Sequence, residues 1–230
     1  MIQKVFYFPQ IFPIFQEAHD FFVNTKKQTA TQHLFTNKQL RTLLVPIMVE
    51  QLLSSLMGTA DTMMVSNVGS AAISAVSLVD AINILVIQAL SALAAGGAIL
   101  CSQYLGSQNL KKAKRSAEQV LFVMLVLSCS LSLLCLIFRF PLLRLIFGTV
   151  DTDVMANSQI YFFFTLLSFP FIGLYDAGAS ILRAQNNTKG PMTISILSNF
   201  LNIGGNAILI FVFGMGVAGA AISTLVSRIF

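Results

Sequence analysis

The chain has no tryptophan, and only 10% of its 230 residues carry a formal charge. An ordinary soluble domain is nearer a quarter charged. The shortage of charge is matched by an excess of apolar residues, 56%, and a mean hydropathy of +0.79. No soluble fold of this size has interior enough to hide that much apolar surface, so the class is a multispanning membrane protein. Histidine is also scarce: His19 and His33 both precede the apolar runs. Cys101, Cys129 and Cys135 fall inside those runs as small packing side chains, with no CxxC, Cys/His cluster or disulfide framework. No cofactor is expected. The net charge of +5 comes from basic residues beside hydrophobic spans, where they act as orientation signals rather than as a nucleic-acid surface.

Residues 1–40 are mixed in character and are expected to form an N-terminal cytoplasmic arm. The opening MIQKVFYFPQIFPIFQ is apolar but interrupted by Pro9 and Pro13, and it lacks the uninterrupted apolar region and cleavage site of a signal peptide. Six apolar segments follow within 41–230, at roughly 43–65, 76–100, 118–138, 159–182, 192–213 and from 217 onward. A membrane helix needs about 20 apolar residues, which the first five supply. Helices are preferred over strands because a spanning segment must satisfy its own backbone hydrogen bonds. The fold class is therefore all-α, a polytopic bundle of about six transmembrane helices. From Gly216 to Phe230 the sixth segment supplies roughly 22 Å of helix against a hydrocarbon core of ~30 Å, so the last helix is expected to be truncated.

Loop charges set an orientation. Lys26, Lys27, Lys38 and Arg41 precede the first segment, Lys111, Lys112, Lys114 and Arg115 follow the second, and Arg183 and Lys189 follow the fourth. In the alternate loops, SNVGSAA and FGMG are uncharged, and Arg139 and Arg144 are offset by Asp151 and Asp153. The N-terminus is therefore expected in the cytoplasm.

Four acids fall within the spans: Glu50, Asp61, Asp80 and Asp176. A carboxylate at the centre of a membrane helix costs roughly 2.5–3.5 kcal/mol, so such residues normally face a protein interior or wet cavity and mark ion, proton or substrate paths. Glu50 and Asp61 are about three turns apart and share one face of the first helix, and Pro46, one turn before Glu50, permits a kink. Glu50 and Asp176, with Pro46, are candidates for a substrate path or helix kink. In the fifth segment Asn199, Asn202 and Asn206 line one face, while Gly204 and Gly205 permit close helix approach. Gly216, Gly219 and Ala220 give the sixth a small-residue face, with Thr224 a turn beyond. Amides and hydroxyls between membrane helices often only bridge a packing interface, so Asn199 stays a candidate for either role.

Four ordered pieces resemble the multidrug and toxic compound extrusion (MATE) transporters: LLVPIMVEQLLSSLMGTADTMMVSNVG, ALSALAAGGAILCSQYLGSQNLKKAKR, GASILRAQNNTKGPM and NFLNIGGNAILIFVFGMGVAGAAISTLVS. They cover roughly residues 40–230, corresponding to that family's first six-helix lobe. The resemblance implies a coupling-cation cluster of a first-helix acid, polar fifth-helix residues and a sixth-helix hydroxyl. By matched position these are Asp61, Asn202, Asn206 and Thr224. Some relatives carry a second acid where this chain has Asn206, so the quartet holds one charge, and both H+ and Na+ remain open as coupling ion, Na+ binding at Asp61.

The implied function is secondary active efflux of cationic amphipathic small molecules across the plasma membrane, in exchange for H+ or Na+. The implied partners are the lipid bilayer, small organic cations and a second six-helix lobe that this chain does not contain; no nucleic acid is implied. Asp61 would be retained because its charge changes: desolvation raises a carboxylate's pKa and a nearby cation lowers it. The alternatives are a truncated, inactive half-transporter and a lipid flippase of related architecture, which would favour a more cationic cavity. A membrane-embedded enzyme is set aside, because its catalytic cluster has no counterpart here.

Overall fold

A computed structural model describes residues 36–230 of the chain. The N-terminal arm foreseen over 1–40 lies outside the described residues up to residue 35. Contacts divide the chain into residues 1–40 and 41–230. In the first unit, the N–H of Thr36 donates to Oε1 of Gln39 at 2.9 Å. That is half of a capping box, and it starts the first helix.

The helices are α1 (Asn37–Val65), α2 (Ser70–Gly106), α3 (Leu110–Ile137), α4 (Arg139–Phe147), α5 (Thr152–Ala184), α6 (Lys189–Asn206) and α7 (Gly216–Ile229), with a wider π-helical stretch, Ala207–Val212, continuing α6. Among the described residues, five helices are long and apolar enough to cross a membrane: α1, α2, α3, α5 and α6 with its π extension. Two details differ from expectation. The RFPLLR region forms the short helix α4 instead of a loop. The fifth segment changes pitch after Asn206, where a continuous helix was expected. Such wide turns are uncommon and often fall beside functional sites.

The core lies among α2, α3 and α5. Val76 and Val79 from α2, Met124 from α3, and Phe162, Leu166 and Phe169 from α5 are all buried to 2% exposure or less. Small residues bring these helices together, as expected where lipid gives no hydrophobic reason to associate. A Cβ on Gly97 would meet Val120 Cγ2 at 2.5 Å, and one on Gly173 would meet Ser128 Oγ at 2.7 Å. Gly205 packs against Ser223 of α7, whereas Gly204 has nothing within 4 Å, so only one of the two predicted close approaches is made.

Two prolines lie inside helices, Pro46 in α1 and Pro170 in α5. Each lacks an N–H and so frees the carbonyl four residues back. A hydroxyl from another helix or its cap answers each loss. Ser132 of α3 donates to the Leu166 carbonyl at 2.6 Å, and Thr188, at the start of α6, donates to the Thr42 carbonyl at 3.4 Å. This is how a proline is tolerated in a spanning helix.

The first helix packs unlike the rest. Its apolar side chains point outward: Met48, Leu52 and Met63 are 62%, 63% and 66% exposed. Its buried residues are Pro46, Glu50, Asp61 and Val65. Two of those four are acids, so the lobe holds α1 largely through polar groups.

Candidate functional site

The expected quartet converges. Asp61 of α1 is 2% exposed, Asn202 and Asn206 of α6 are fully buried, and Thr224 of α7 is 1% exposed. Asn206 donates from Nδ2 to Asp61 Oδ1 through a short hydrogen bond. Thr224 donates from Oγ1 to Asp61 Oδ2 at 2.9 Å, and Asn202 donates from Nδ2 to Thr224 Oγ1 at 3.1 Å. The spacing of the two asparagines places both amides on the face of α6 turned toward α7. The chain reversal that returns Thr224 to them uses Gly214 and Gly216, at φ +64° and +56°, a region unfavourable for other residues. Ser223 donates to the Asn202 carbonyl at 2.8 Å and fixes α7 against α6.

Every donor atom in this cluster has an acceptor, but two of its acceptor atoms have no donor. Oδ1 of Asn202 and Oδ1 of Asn206 are buried without a hydrogen-bond partner. A buried oxygen left unpaired costs about 1–3 kcal/mol, so each calls for an explanation. One carboxylate, one hydroxyl and two unpartnered amide oxygens form the all-oxygen donor set suited to a hard cation. The same set suits a proton, because a protonated Asp61 can donate to an amide oxygen once an asparagine side chain turns over.

Three further groups enlarge the cluster. Tyr161 of α5, 1% exposed, places its hydroxyl 3.5 Å from Asp61 Oδ2 and 3.3 Å from Asp80 Oδ1. Asp80 of α2 also accepts from Asn83 Nδ2 at 3.3 Å. Arg228 of α7 donates to Ser168 of α5 at 2.9 Å and lies within electrostatic range of both acids. A second carboxylate thus joins the site from α2, reached through Tyr161 and not by direct contact with Asp61. Asp80 stood out in the sequence as an acid in a span. Tyr161 and Arg228 carried no local signal, since a tyrosine in an aromatic run and an arginine near a helix end are ordinary. An open recess of about 410 Å³, lined among others by Val68, Ala72, Asp153 and Asn157, sits at the α1–α2 turn, and Asn157 is one turn from Tyr161 along α5.

The remaining candidates separate from this cluster. Glu50, 5% exposed, accepts at Oε1 from Arg183 at 2.7 Å and from the Tyr175 hydroxyl at 2.8 Å. Asp176 lies within electrostatic reach of Arg183 and Glu50. Pro46 is buried one turn from Glu50. Asn199 shares the α6 face of Asn202 and Asn206, but its Nδ2 donates to the Ser195 carbonyl of its own helix at 2.9 Å. The acids of α1 therefore serve two separate polar clusters, Glu50 with α5 and Asp61 with α5, α6 and α7.

Comparison with known proteins follows this geometry. The MatE family model matches residues 46–208. The chain is 33% identical over 189 residues to the uncharacterized transporter YisQ of Bacillus subtilis (strain 168), covering 80% of this chain and 41% of that protein. It is 29% identical over 198 residues to the probable multidrug resistance protein NorM of Thermotoga maritima, covering 83% and 42%. Among solved structures it is similar to a MOP superfamily transporter from Pyrococcus furiosus, at TM-score 0.77 and 26% identity, over 84% of this chain and 42% of that one. The chain spans less than half the length of these relatives. The family match, which contains Asp61, Asn202 and Asn206, and the shared helical architecture place this chain in the MatE family of transporters.

Proposed function

We propose that the chain forms an ion-binding lobe of an antiporter that exports cationic amphipathic small molecules in exchange for H+ or Na+. The observation that carries the proposal is Asp61. It is a dry carboxylate on a membrane-length helix, ringed by Asn206 and Thr224, beside two amide oxygens without donors. In this reading a proton or Na+ enters from the outer side, where the recess at the α1–α2 turn gives water access. Occupation removes the excess negative charge. It also changes the contacts that hold the second half of α1, because few apolar side chains bind that helix to the lobe. A change in α1 position would then be linked to ion occupancy, with release of a cationic substrate outward, as alternating access requires. Relatives named as multidrug proteins support the substrate class. A second lobe completes the substrate cleft in this reading, since the relatives are more than twice as long as the matched region.

The test is transport of a fluorescent lipophilic cation by the reconstituted chain under an imposed H+ or Na+ gradient, alone and with a second lobe supplied. Asp61→Asn should reduce gradient-driven transport to the level of empty vesicles while keeping the helical circular-dichroism spectrum. Wild-type rates in Asp61→Asn would remove the coupling role.

A further inference from the structure

One hydroxyl stands between two carboxylates. Tyr161 has a single O–H proton, yet its oxygen lies 3.5 Å from Asp61 Oδ2 and 3.3 Å from Asp80 Oδ1. It can donate to only one of them at a time, so the other contact joins two acceptors unless the second carboxyl carries a proton. The three groups also differ in wetness. Asp61 and Tyr161 are 2% and 1% exposed, while Asp80 retains partial exposure. The first-helix acid is thus enclosed by protein, and the α2 acid is only partly enclosed. Both distances are longer than a strong hydrogen bond, as is common for proton-transfer partners before they close up.

We infer that Asp80 is the proton port of the lobe, exchanging protons with water and passing them through the Tyr161 hydroxyl to Asp61. The transfer balances. A protonated Asp80 gives its proton to the Tyr161 oxygen as the Tyr161 O–H proton passes to the Asp61 carboxylate. Tyr161 ends neutral, Asp80 ends anionic and Asp61 ends neutral, and water reprotonates Asp80. The reverse sequence empties Asp61. Asn83, which donates to Asp80 Oδ1 from the same helix, orients the port. Arg228, a cation within electrostatic range of both acids from α7, offsets part of the negative charge of the pair whichever of them carries the proton. A Na+ ion displacing the Asp61 proton would use the same path for the proton it expels.

The inference rests on the proposal that Asp61 takes up a proton, and the experiment separates the two. The chain is reconstituted in lipid vesicles, and the carbonyl stretch of protonated carboxyl groups is followed by time-resolved infrared spectroscopy after a pH jump. Asp61→Asn should delete one slow band, which identifies Asp61. If it deletes none, Asp61 is not a proton site and the port fails, while Na+ coupling at Asp61 is decided by the transport assay with Asp61→Asn. With the band assigned, Asp80→Asn and Tyr161→Phe should each slow its appearance at least ~10-fold, within the range that positioned proton-transfer groups contribute. The double variant should be no slower than either single one, because both interrupt one path. Asp80→Glu should restore most of the rate. A wild-type rate in Asp80→Asn overturns the port and leaves the coupling role of Asp61 standing. If Tyr161→Phe fails to fold, the Asp80 variants decide by themselves.

Discussion

At the scale of single residues, the site is defined by what Asn206 is not. An aspartate there would put a second carboxylate against Asp61 Oδ1, where the amide now donates a hydrogen bond. Two carboxylates that close repel unless a cation or proton lies between them. Asn206→Asp should therefore lower the melting temperature in Na+-free buffer and make it climb more steeply with added NaCl than the wild type does. The apparent Na+ affinity should rise about tenfold, equivalent to about 1.4 kcal/mol. Melting curves recorded in NaCl and in choline chloride check this, and identical responses to both salts would argue against a cation site at Asp61. The native amide gives a gentler site: one charge, a hydroxyl and two spare amide oxygens. Asp80 supplies a second charge at one remove, through Tyr161 instead of in direct contact.

At the scale of elements, α1 is the mobile candidate because of what it lacks. Its leucines and methionines face outward and its buried positions are largely polar. Two clusters hold it, Glu50 with Arg183 and Tyr175 near its start, and Asp61 with Asn206 and Thr224 near its end. Removing one partner of a buried ion pair leaves the other charge uncompensated. Glu50→Gln should cost about 2 kcal/mol, less than for a wholly dry pair because the Arg183 side chain is 25% exposed. Adding Arg183→Gln should recover part of the loss. Thermal melts of the single and double variants in detergent measure both effects, and unchanged melting in Glu50→Gln would mean the pair contributes nothing to holding α1. The contrast with α5 is instructive: half of that helix's most apolar stretch is buried, and the carbonyl freed by its internal proline is bonded by Ser132.

At the scale of the whole molecule, the distribution of charge predicts how the lobe lies in a bilayer. Lys111, Lys112, Lys114 and Arg115 cluster at the α2–α3 turn, while Arg139 and Arg144 are offset by Asp151 and Asp153 at the opposite end of α3. The basic turn should be cytoplasmic. In a background with Cys129 replaced by serine, Ser107→Cys should react with an impermeant maleimide only after cells are opened, and Thr149→Cys should react in intact cells. The reverse pattern would place the Asp61 half of α1 toward the cytoplasm and invert the direction assigned to ion entry.

Much of this architecture was legible in the order of residues. Apolar runs longer than about 20 residues can only be spanning helices, since water-free surroundings force each backbone to satisfy itself. The spacing of Asn202 and Asn206 on one face of α6, and of Glu50 and Asp61 on one face of α1, follows from helical periodicity alone. Their convergence with Thr224 was implied by the resemblance to a known family, and the fold displays it as measured hydrogen bonds. Other features depend on contacts between residues far apart in the chain, which no local pattern encodes. Tyr161 reaches Asp61 and Asp80 across 100 and 81 positions. Ser132 meets the carbonyl that Pro170 frees because α3 packs on α5, and Gly205 rather than Gly204 meets Ser223 because α6 turns that way against α7. Composition and periodicity determined that this chain crosses a membrane and carries acids it must justify. Tertiary packing decided which groups share each acid, because a buried charge is stabilised by whatever polar atoms the fold brings within about 3 Å of it.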